Sequence, residues 1–464
     1  MLGCVGLAGP GTASAAPVRY GTADSLQGGP FLAGADLAYS QATSRRYSLR
    51  TLRRGARPAV LAAGTLRNNN RFGEGDSQSV NIAASAQRFA FSDLFTSGTR
   101  YGYTTTVRIN SGPLAGPRAG VAQCTRTGNP PTAVTVNGQI DVDANALAYV
   151  GCDGRAVVRD FALGAPVPTR VLALVPGEAL NVRLSGRFAA VQTSNAIRVV
   201  DWVSNSVQYT VPLGPDDSIT ALDIQSDGTI ATLRPLPGVI GINPCQGGRV
   251  DWYSRAQPFS HRLNVLPCTA DLRLAGGRVA LIEGTGQGAT DQDEPQEVRL
   301  IALGGQATRI ASVGPDGTKQ GEIDFDGSRI SYGVRNCRAS SDLLVASTMD
   351  RPRGLSTRCP VAISLRGARL RGRRVTVGLR CSRGCLGRGR LERRIRGRFR
   401  AAGPRRRVSL RASRRTRRVS FALSRSARRT LRATGTLRTR LSIVTTDRSG
   451  SERVTRRRVT LNLR

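Results

Sequence analysis

The chain has 464 residues, and its 69 Lys and Arg against 31 Asp and Glu give a formal net charge of +38. No run approaches 18 consecutive apolar residues, which excludes a membrane-spanning helix, and the single histidine, His261, excludes metal sites built on several histidines. Low aromatic content, 53 glycines and Val/Ala/Thr/Ser-rich alternation predict an all-β chain of short strands and tight turns, divided into two folded domains.

The start, MLGCVGLAGPGTASAAP, is small and apolar, and Ala13-Ser14-Ala15 forms an A-x-A cleavage pattern before Ala16 and Pro17. A basic n-region is missing. Residues 1–16 therefore read as a truncated signal-peptide-like segment, and the expected location is secreted or cell-surface. Leu2-Gly3-Cys4 is a poor lipoprotein attachment site, because no apolar run precedes it.

A short phrase recurs seven times: LAGADLAYSQ from Leu32, IAASAQRFAFSD from Ile82, IDVDANALAYVG from Ile140, VRLSGRFAAVQT from Val182, LDIQSDGTIATL from Leu222, LRLAGGRVALIE from Leu272 and IDFDGSRISYGV from Ile323. Each is an apolar-x-apolar run, a polar turn, and an apolar-small-apolar triplet whose middle residue is Ala38, Ala90, Ala148, Ala189, Ala231, Ala280 or Ser331. The triplets are 52, 58, 41, 42, 49 and 51 residues apart, the period of four-stranded units. The prediction is a seven-bladed β-propeller over 17–357. Strand residues alternate faces, so a small residue at this position leaves room for a bulky side chain of an adjacent blade.

In blade 1 the expected strands start at Phe31, Asp36, Tyr47 and Pro58; in blade 4 they are NVRLSG, RFAAVQT, AIRVVDWV and SVQYTVPL. Blades 5 and 6 carry the inserts RPLPGVIGINPCQGG and GTGQGATDQDEPQE. Blade 7 supplies only EIDFD, RISYGVRN and SSDLLVAST. VRYGT, from Val18, is the natural donor of its fourth strand, since an unpaired edge would otherwise remain.

Composition changes after Met349-Asp350-Arg351-Pro352. Cys359 to Arg464 hold 34 Arg against Glu392, Asp447 and Glu452, a net of +31, whereas residues 1–358 carry +7. RRVTVGLRCS, GRFRA, RRVSLRA, RRVSFALS, TRLSIVTTD and RRVTLNL alternate apolar residues with Arg, which predicts a β-sandwich of immunoglobulin-like size over 358–464. Its tryptophan hallmark is absent, because Trp202 and Trp252 both lie in the propeller.

Apart from Cys4 there are eight cysteines, an even number that favours disulfides in an exported chain. Eight allow 105 pairings. Pairing of sequence neighbours joins Cys124 to Cys152, Cys245 to Cys268, Cys337 to Cys359 and Cys381 to Cys385. A zinc site lacks a second pair at matching spacing.

The seven phrases resemble TolB-type and WD40-type propellers in outline, without the Gly-His and Trp-Asp dipeptides of WD40 repeats. SIVTTDRSGSERVTRRRVTLNL resembles the last hairpin of bacterial immunoglobulin-like and fibronectin type III-like modules. The resemblances imply an exported bacterial protein from a GC-rich genome and carry over no catalytic residues.

No catalytic residue or cofactor is expected. His261 lies on an outer strand with no nucleophile motif around it. Gly284-Thr-Gly286-Gln-Gly288 resembles a phosphate loop but leads into no helix. Asp291, Asp293, Glu294 and Glu297 read as a solvated acidic loop rather than a calcium site, because the EF-hand ligand order is not met. Asp141 with Asp143, and Asp324 with Asp326, occupy alternate positions on the innermost strands of blades 3 and 7, where they either converge on a channel mouth or cap turns. The basic sandwich offers Arg393, Arg394, Arg396, Arg405, Arg406, Arg407, Arg414, Arg415, Arg417, Arg418, Arg456, Arg457 and Arg458 to a polyanion. Phe399 and Phe421 are its only rings, which argues against base stacking and sequence-specific nucleic acid. The expectation is a binding platform with a polyanion-adhesive spacer, its partner an anionic envelope polymer or a surface protein. The alternative is an extracellular lyase or glycoside hydrolase working through channel-mouth carboxylates.

Overall fold

The computed structural model describes residues 17–43, 45–67, 75–99, 102–128, 138–163, 168–173, 175–215, 217–235, 248–258, 261–265, 271–284, 296–303, 305, 307–314, 322–335, 340–348, 353–354, 362–380, 385–395, 397–410, 416–446 and 452–463. The chain divides into two compact units: unit 1 comprises Met1–Arg335 with Ser341–Leu355, and unit 2 comprises Asn336–Ser340 with Ser356–Arg464.

Unit 1 is all-β and propeller-like. Its described residues form seven sheets that follow chain order: sheet 1 in 31–65, sheet 2 in 75–128, sheet 3 in 140–171, sheet 4 in 181–212, sheet 5 in 221–265, sheet 6 in 271–314 and sheet 7 in 324–347. Sheets 1 to 6 are meanders in which each strand pairs with the next; in sheet 4 these are Asn181–Ser185, Phe188–Gln192, Ala196–Asp201 and Ser206–Pro212. Sheet 6 gains a short parallel strand, Arg353–Gly354, beside Ala307–Gly314. Sheet 7 has three strands of its own, Asp324–Phe325, Arg329–Arg335 and Ser341–Ser347, and Val18–Ala23 completes it antiparallel to the last. This pairing covers the edge that three strands would leave open.

The sheets pack face on face. Alternation lets each strand present one apolar set to the preceding sheet and one to the following. Phe31, Ala38 and Leu49 of sheet 1 meet Ile82, Phe89 and Phe91 of sheet 2. Ala90 and Ile109 of sheet 2 meet Leu147 and Tyr149 of sheet 3. The same arrangement continues through each successive pair. Leu343 and Val345 of sheet 7 then pack on Leu32, Leu37 and Tyr39 of sheet 1. The series closes on itself.

All seven small middle residues are fully buried. Ala38 sits against Phe89 and Phe91, and Ala280 is clustered with Ile330 and Tyr332, as the nesting expectation requires. Sheet 4 departs from the expected phase. Asp141 pairs with Ala148 in sheet 3, and the equivalent Arg183 pairs with Ala190 in sheet 4. Ala190 therefore faces sheet 5, and Ala189 faces sheet 3. Two adjacent alanines leave the phase open in the sequence; the strand register decides it.

A disulfide joins Cys124, on the outer strand of sheet 2, to Cys152, in the turn after the second strand of sheet 3, with a Cα–Cα distance of 5.2 Å. Cys245, Cys268, Cys337, Cys359 and Cys381 lie outside the described residues, as do the side chain of Cys385, Gly286, Gly288, Asp291, Asp293 and Glu294.

Unit 2 holds a three-stranded sheet, Ala362–Arg371, Arg374–Arg380 and Arg417–Ala422. In its larger sheet, Cys385–Ile395 is flanked on one side by Arg398–Ala401 and Arg406–Leu410, and on the other by Thr436–Thr446 and then Glu452–Asn462. One core serves both sheets, with Val375, Val377 and Phe421 from the first and Leu391, Leu441 and Ile443 from the second. A helix, Arg425–Thr434, corrects the purely β reading of this segment. Ser424 caps it, its Oγ accepting the Ala427 N–H at 3.2 Å, and Gly435 ends it at φ 69°. Ala427 and Leu431, four apart, bury its inner face. The cap, the apolar pair and the glycine are all visible in SRSARRTLRATG, but the alternation on either side obscures them.

Candidate functional site

The innermost strand of each sheet has no inner neighbour, so its backbone N–H and C=O groups must find other partners. On that strand one residue pairs with the small residue of the second strand. From sheet 1 to sheet 7 it is Phe31, Ala83, Asp141, Arg183, Asp223, Arg273 and Asp324. All seven line one cavity of about 610 Å³. From sheet 3 onward the charges alternate, Asp, Arg, Asp, Arg, Asp.

Each of these charged groups reaches the backbone of the following sheet. The aspartates accept N–H groups: Leu184 donates to Asp141 Oδ2 at 2.8 Å, Leu274 to Asp223 Oδ2 at 2.6 Å and Leu32 to Asp324 Oδ2 at 2.7 Å. The arginines donate to carbonyls, Arg183 Nε to Leu222 at 2.9 Å and Arg273 Nε to Ile323 at 3.1 Å. Asp271 adds a further stitch, accepting the Ile323 N–H at 2.8 Å. The guanidinium ends pair loosely, Arg183 Nη1 with Asp141 at 3.9 Å, Arg273 Nη1 with Asp223 at 3.9 Å and Arg273 Nη2 with Glu322 at 4.0 Å. These distances allow attraction without a hydrogen bond.

Burial dominates the acids' titration. It pushes the Asp223 carboxyl up to about 6, against the pull of Arg273 and Arg183 and helped by the charge on Asp141. It also pushes Asp324 up to about 6, against Arg273 and the Leu32 and Phe325 N–H groups. Asp141 is raised for the same reason, opposed by Arg183, Arg273 and two backbone N–H groups. Burial works against the charge of Arg273, but Asp223, Asp271, Asp324 and Glu322 together hold its pKa above the ordinary guanidinium value.

A second tier lies at the turns between the first and second strands of the sheets. Gly186 N–H donates to Asp143, Gly277 N–H to Gln225 at 2.8 Å and Ser85 Oγ to the Ala144 carbonyl at 2.7 Å. Asp326 caps its own turn, accepting the N–H groups of Ser328 at 2.9 Å and Arg329 at 2.7 Å. Arg329 in turn donates to the Gly34 carbonyl at 2.8 Å.

Of the four aspartates singled out in the sequence, all line this cavity. Asp141 and Asp324 accept two N–H groups each, so neither is an unengaged acid or base. Arg183, Asp223, Arg273 and Glu322 were missed. The repeat carries the first three at the x of its apolar-x-apolar run: V-R-L, L-D-I and L-R-L beside I-D-V and I-D-F. Among the described residues no group of three or more His, Cys, Asp or Glu is arranged to hold a metal ion. His261 is exposed on the outer strand of sheet 5, 2.7 Å from Gln257 and stacked on Trp252.

The arginines of unit 2 divide. Arg393 is half-buried and donates to Thr430 at 2.7 Å and to Ser426, and Arg406 donates to the Ser420 carbonyl. Arg394, Arg405, Arg407, Arg417, Arg418, Arg456, Arg457 and Arg458 are exposed. Arg396, Arg414 and Arg415 lie outside the described residues.

No protein-family model matches the chain, and no curated protein matches it in sequence. Solved structures give distant alignments. The WD40 domain of SCAP from fission yeast aligns at 8% identity over 68% of this chain and 82% of its own, with a TM-score of 0.35. The propeller domain of the Trilobed protease from Pyrococcus furiosus aligns at 12% identity over 67% and 92%, also at 0.35. KlAtg21 in complex with the coiled-coil of AgAtg16 aligns at 10% identity over 65% and 93%, at 0.34.

Proposed function

We propose that the protein is an exported binding platform: a seven-bladed β-propeller over 17–357 that takes its ligand at the charged cavity, and an immunoglobulin-like β-sandwich over 358–464 that adheres to an anionic envelope polymer. The observation that carries the platform reading is the convergence of Asp141, Arg183, Asp223, Arg273 and Asp324, one from each of five successive sheets, on one cavity. Such a cavity binds by charge complementarity and by displacing water from guanidinium ends that are only loosely paired. The carboxylates hold the sheets together through backbone N–H groups, and nothing in their geometry favours the lyase or glycoside hydrolase alternative. The excess of arginine in the last 106 residues supports the adhesive role.

The test is co-sedimentation of the full chain with washed bacterial envelope across a salt series, followed by mass spectrometry of molecules eluted from the retained protein. Retention that weakens steeply with salt is expected, together with a captured molecule that Arg183→Gln/Arg273→Gln no longer holds. Absence of retention at physiological salt would end the adhesive reading. Capture unaffected by the cavity substitutions would end the platform reading.

A further inference from the structure

In the larger sheet of unit 2 the strand Cys385–Ile395 contains G-R-G-R, Gly387 to Arg390. Leu391 is fully buried in the core, and a Cβ on Gly389 would fall 2.7 Å from the Phe421 ring, so the odd positions face inward. Period two then sends Arg388 and Arg390 to the outer face. The register carries this face across the sheet. Arg388 stands opposite Arg407, Arg390 opposite Ser442, and Ser442 opposite Arg456. These arginines, with Arg405, line a groove of about 720 Å³.

Among the described residues one carboxylate, Glu392, reaches this groove, and it is already engaged. Glu392 accepts from Arg390 Nε at 2.8 Å and from Arg440 Nη2 at 2.7 Å. The two guanidinium groups hold it below the ordinary glutamate range against the opposing effect of burial. Arg388, Arg405, Arg407 and Arg456 have no acidic partner among the described residues. Arg440 lies over the Phe399 ring, 3.4 Å from its centroid, which occupies that ring as a base-stacking surface.

We infer that this groove is a binding site for a linear chain of phosphates, which lies across the strands with its phosphates held by Arg388, Arg405, Arg407 and Arg456. This rests on the adhesive reading of unit 2 and gives it a site and a ligand chemistry. Cross-strand side chains stand roughly 4.5–5.5 Å apart, and alternate residues of one strand about 6.7 Å apart. Guanidinium forks at those intervals grip successive phosphates, each phosphate accepting from more than one fork. With no free ring in the groove, the contacts are to the backbone of the polymer and are blind to sequence. Inorganic polyphosphate, a nucleic-acid backbone and a wall phosphodiester polymer share this chemistry.

The test uses the full chain with labelled inorganic polyphosphate, single-stranded oligothymidylate, a glycerol-phosphate wall polymer, heparin and polyglutamate, each titrated by fluorescence anisotropy across a salt series. The phosphate chains should bind more tightly than heparin or polyglutamate, and the order among the three identifies the source. Arg388→Gln/Arg407→Gln/Arg456→Gln should weaken phosphate-chain binding at least tenfold and flatten the slope of log K against log salt for the oligothymidylate by about 2. Arg388→Lys/Arg407→Lys/Arg456→Lys keeps the charge, guards against a folding defect and should recover only part of the affinity. Arg371→Gln/Arg374→Gln, exposed on the three-stranded sheet and outside the groove, should change binding less than threefold. Equal binding of heparin overturns the phosphate assignment. A Gln triple no weaker than Arg371→Gln/Arg374→Gln overturns the site while leaving the adhesive reading standing. Wild-type protein that binds none of the five polymers overturns both.

Discussion

Asp324, on the innermost strand of sheet 7, accepts a hydrogen bond at 2.7 Å from the backbone N–H of Leu32, on the innermost strand of sheet 1 and 292 residues earlier in the chain. The bond joins the last sheet to the first near the axis, while Val18–Ala23 joins the first part of the chain to sheet 7 farther out. Replacing Asp324 with Ala leaves the Leu32 and Phe325 N–H groups without their acceptor and should cost about 1–3 kcal/mol in urea unfolding. Asp324→Asn keeps an acceptor oxygen and should cost less than half as much.

The same residue gives a pH signature. Burial raises Asp223 and Asp324 from 3.8 to about 6, so between those values the folded state binds more protons than the unfolded chain. Their contribution to stability therefore falls as pH rises from about 4 to about 6 and stays low above it. Asn does not titrate, so the stability of the wild type relative to Asp324→Asn should decline over that window. Unfolding curves of both proteins at several pH values check this; a constant or rising difference contradicts the assignment.

Ala189 and Ala190 are adjacent and fully buried, yet they face different neighbours. Leu at either position should overpack its interface and cost roughly 1–3 kcal/mol. Ile230 of sheet 5 clusters with Ala190. Ile230→Val should therefore recover part of the loss in Ala190→Leu and none in Ala189→Leu, which a double-mutant cycle measures.

The Cys124–Cys152 bond spans 28 residues and ties sheet 2 to sheet 3. Cys124→Ser/Cys152→Ser should lower stability by about 2–4 kcal/mol. Peptide mapping without reduction should recover the two cysteines linked, and reductant should destabilise the wild type but not change the double variant through this bond.

Ser424→Ala removes the acceptor for the Ala427 N–H at the start of the helix and should cost about 1 kcal/mol. Ser424→Asp should hold or raise stability, because a carboxylate meets the positive end of the helix dipole. Thermal melts of the full chain, followed in the transition of unit 2, read both.

Strand order and the fully buried small residues were legible in the sequence because alternation and turn chemistry act over a few residues. The phrase around each triplet was enough to place the second strand of every sheet in unit 1. It also held the charges of the cavity, since the x of the last five apolar-x-apolar runs is Asp141, Arg183, Asp223, Arg273 and Asp324 in turn. What it did not hold was their convergence. Asp141 and Asp324 come together only because consecutive sheets rotate their innermost strands toward one centre, a long-range arrangement that no local pattern encodes. The phase at Ala189 and Ala190 was likewise open, because either alanine satisfies the pattern and only pairing with Leu184 and Arg183 selects between them. In unit 2 the abundance of arginine was plain, but which arginines share a face was not. Arg388, Arg407 and Arg456 are far apart in the chain and meet through strand register. The sequence by itself determined local conformation and the supply of charge; the tertiary structure decided which charges face one another, because hydrogen-bonded pairing across strands sets those distances.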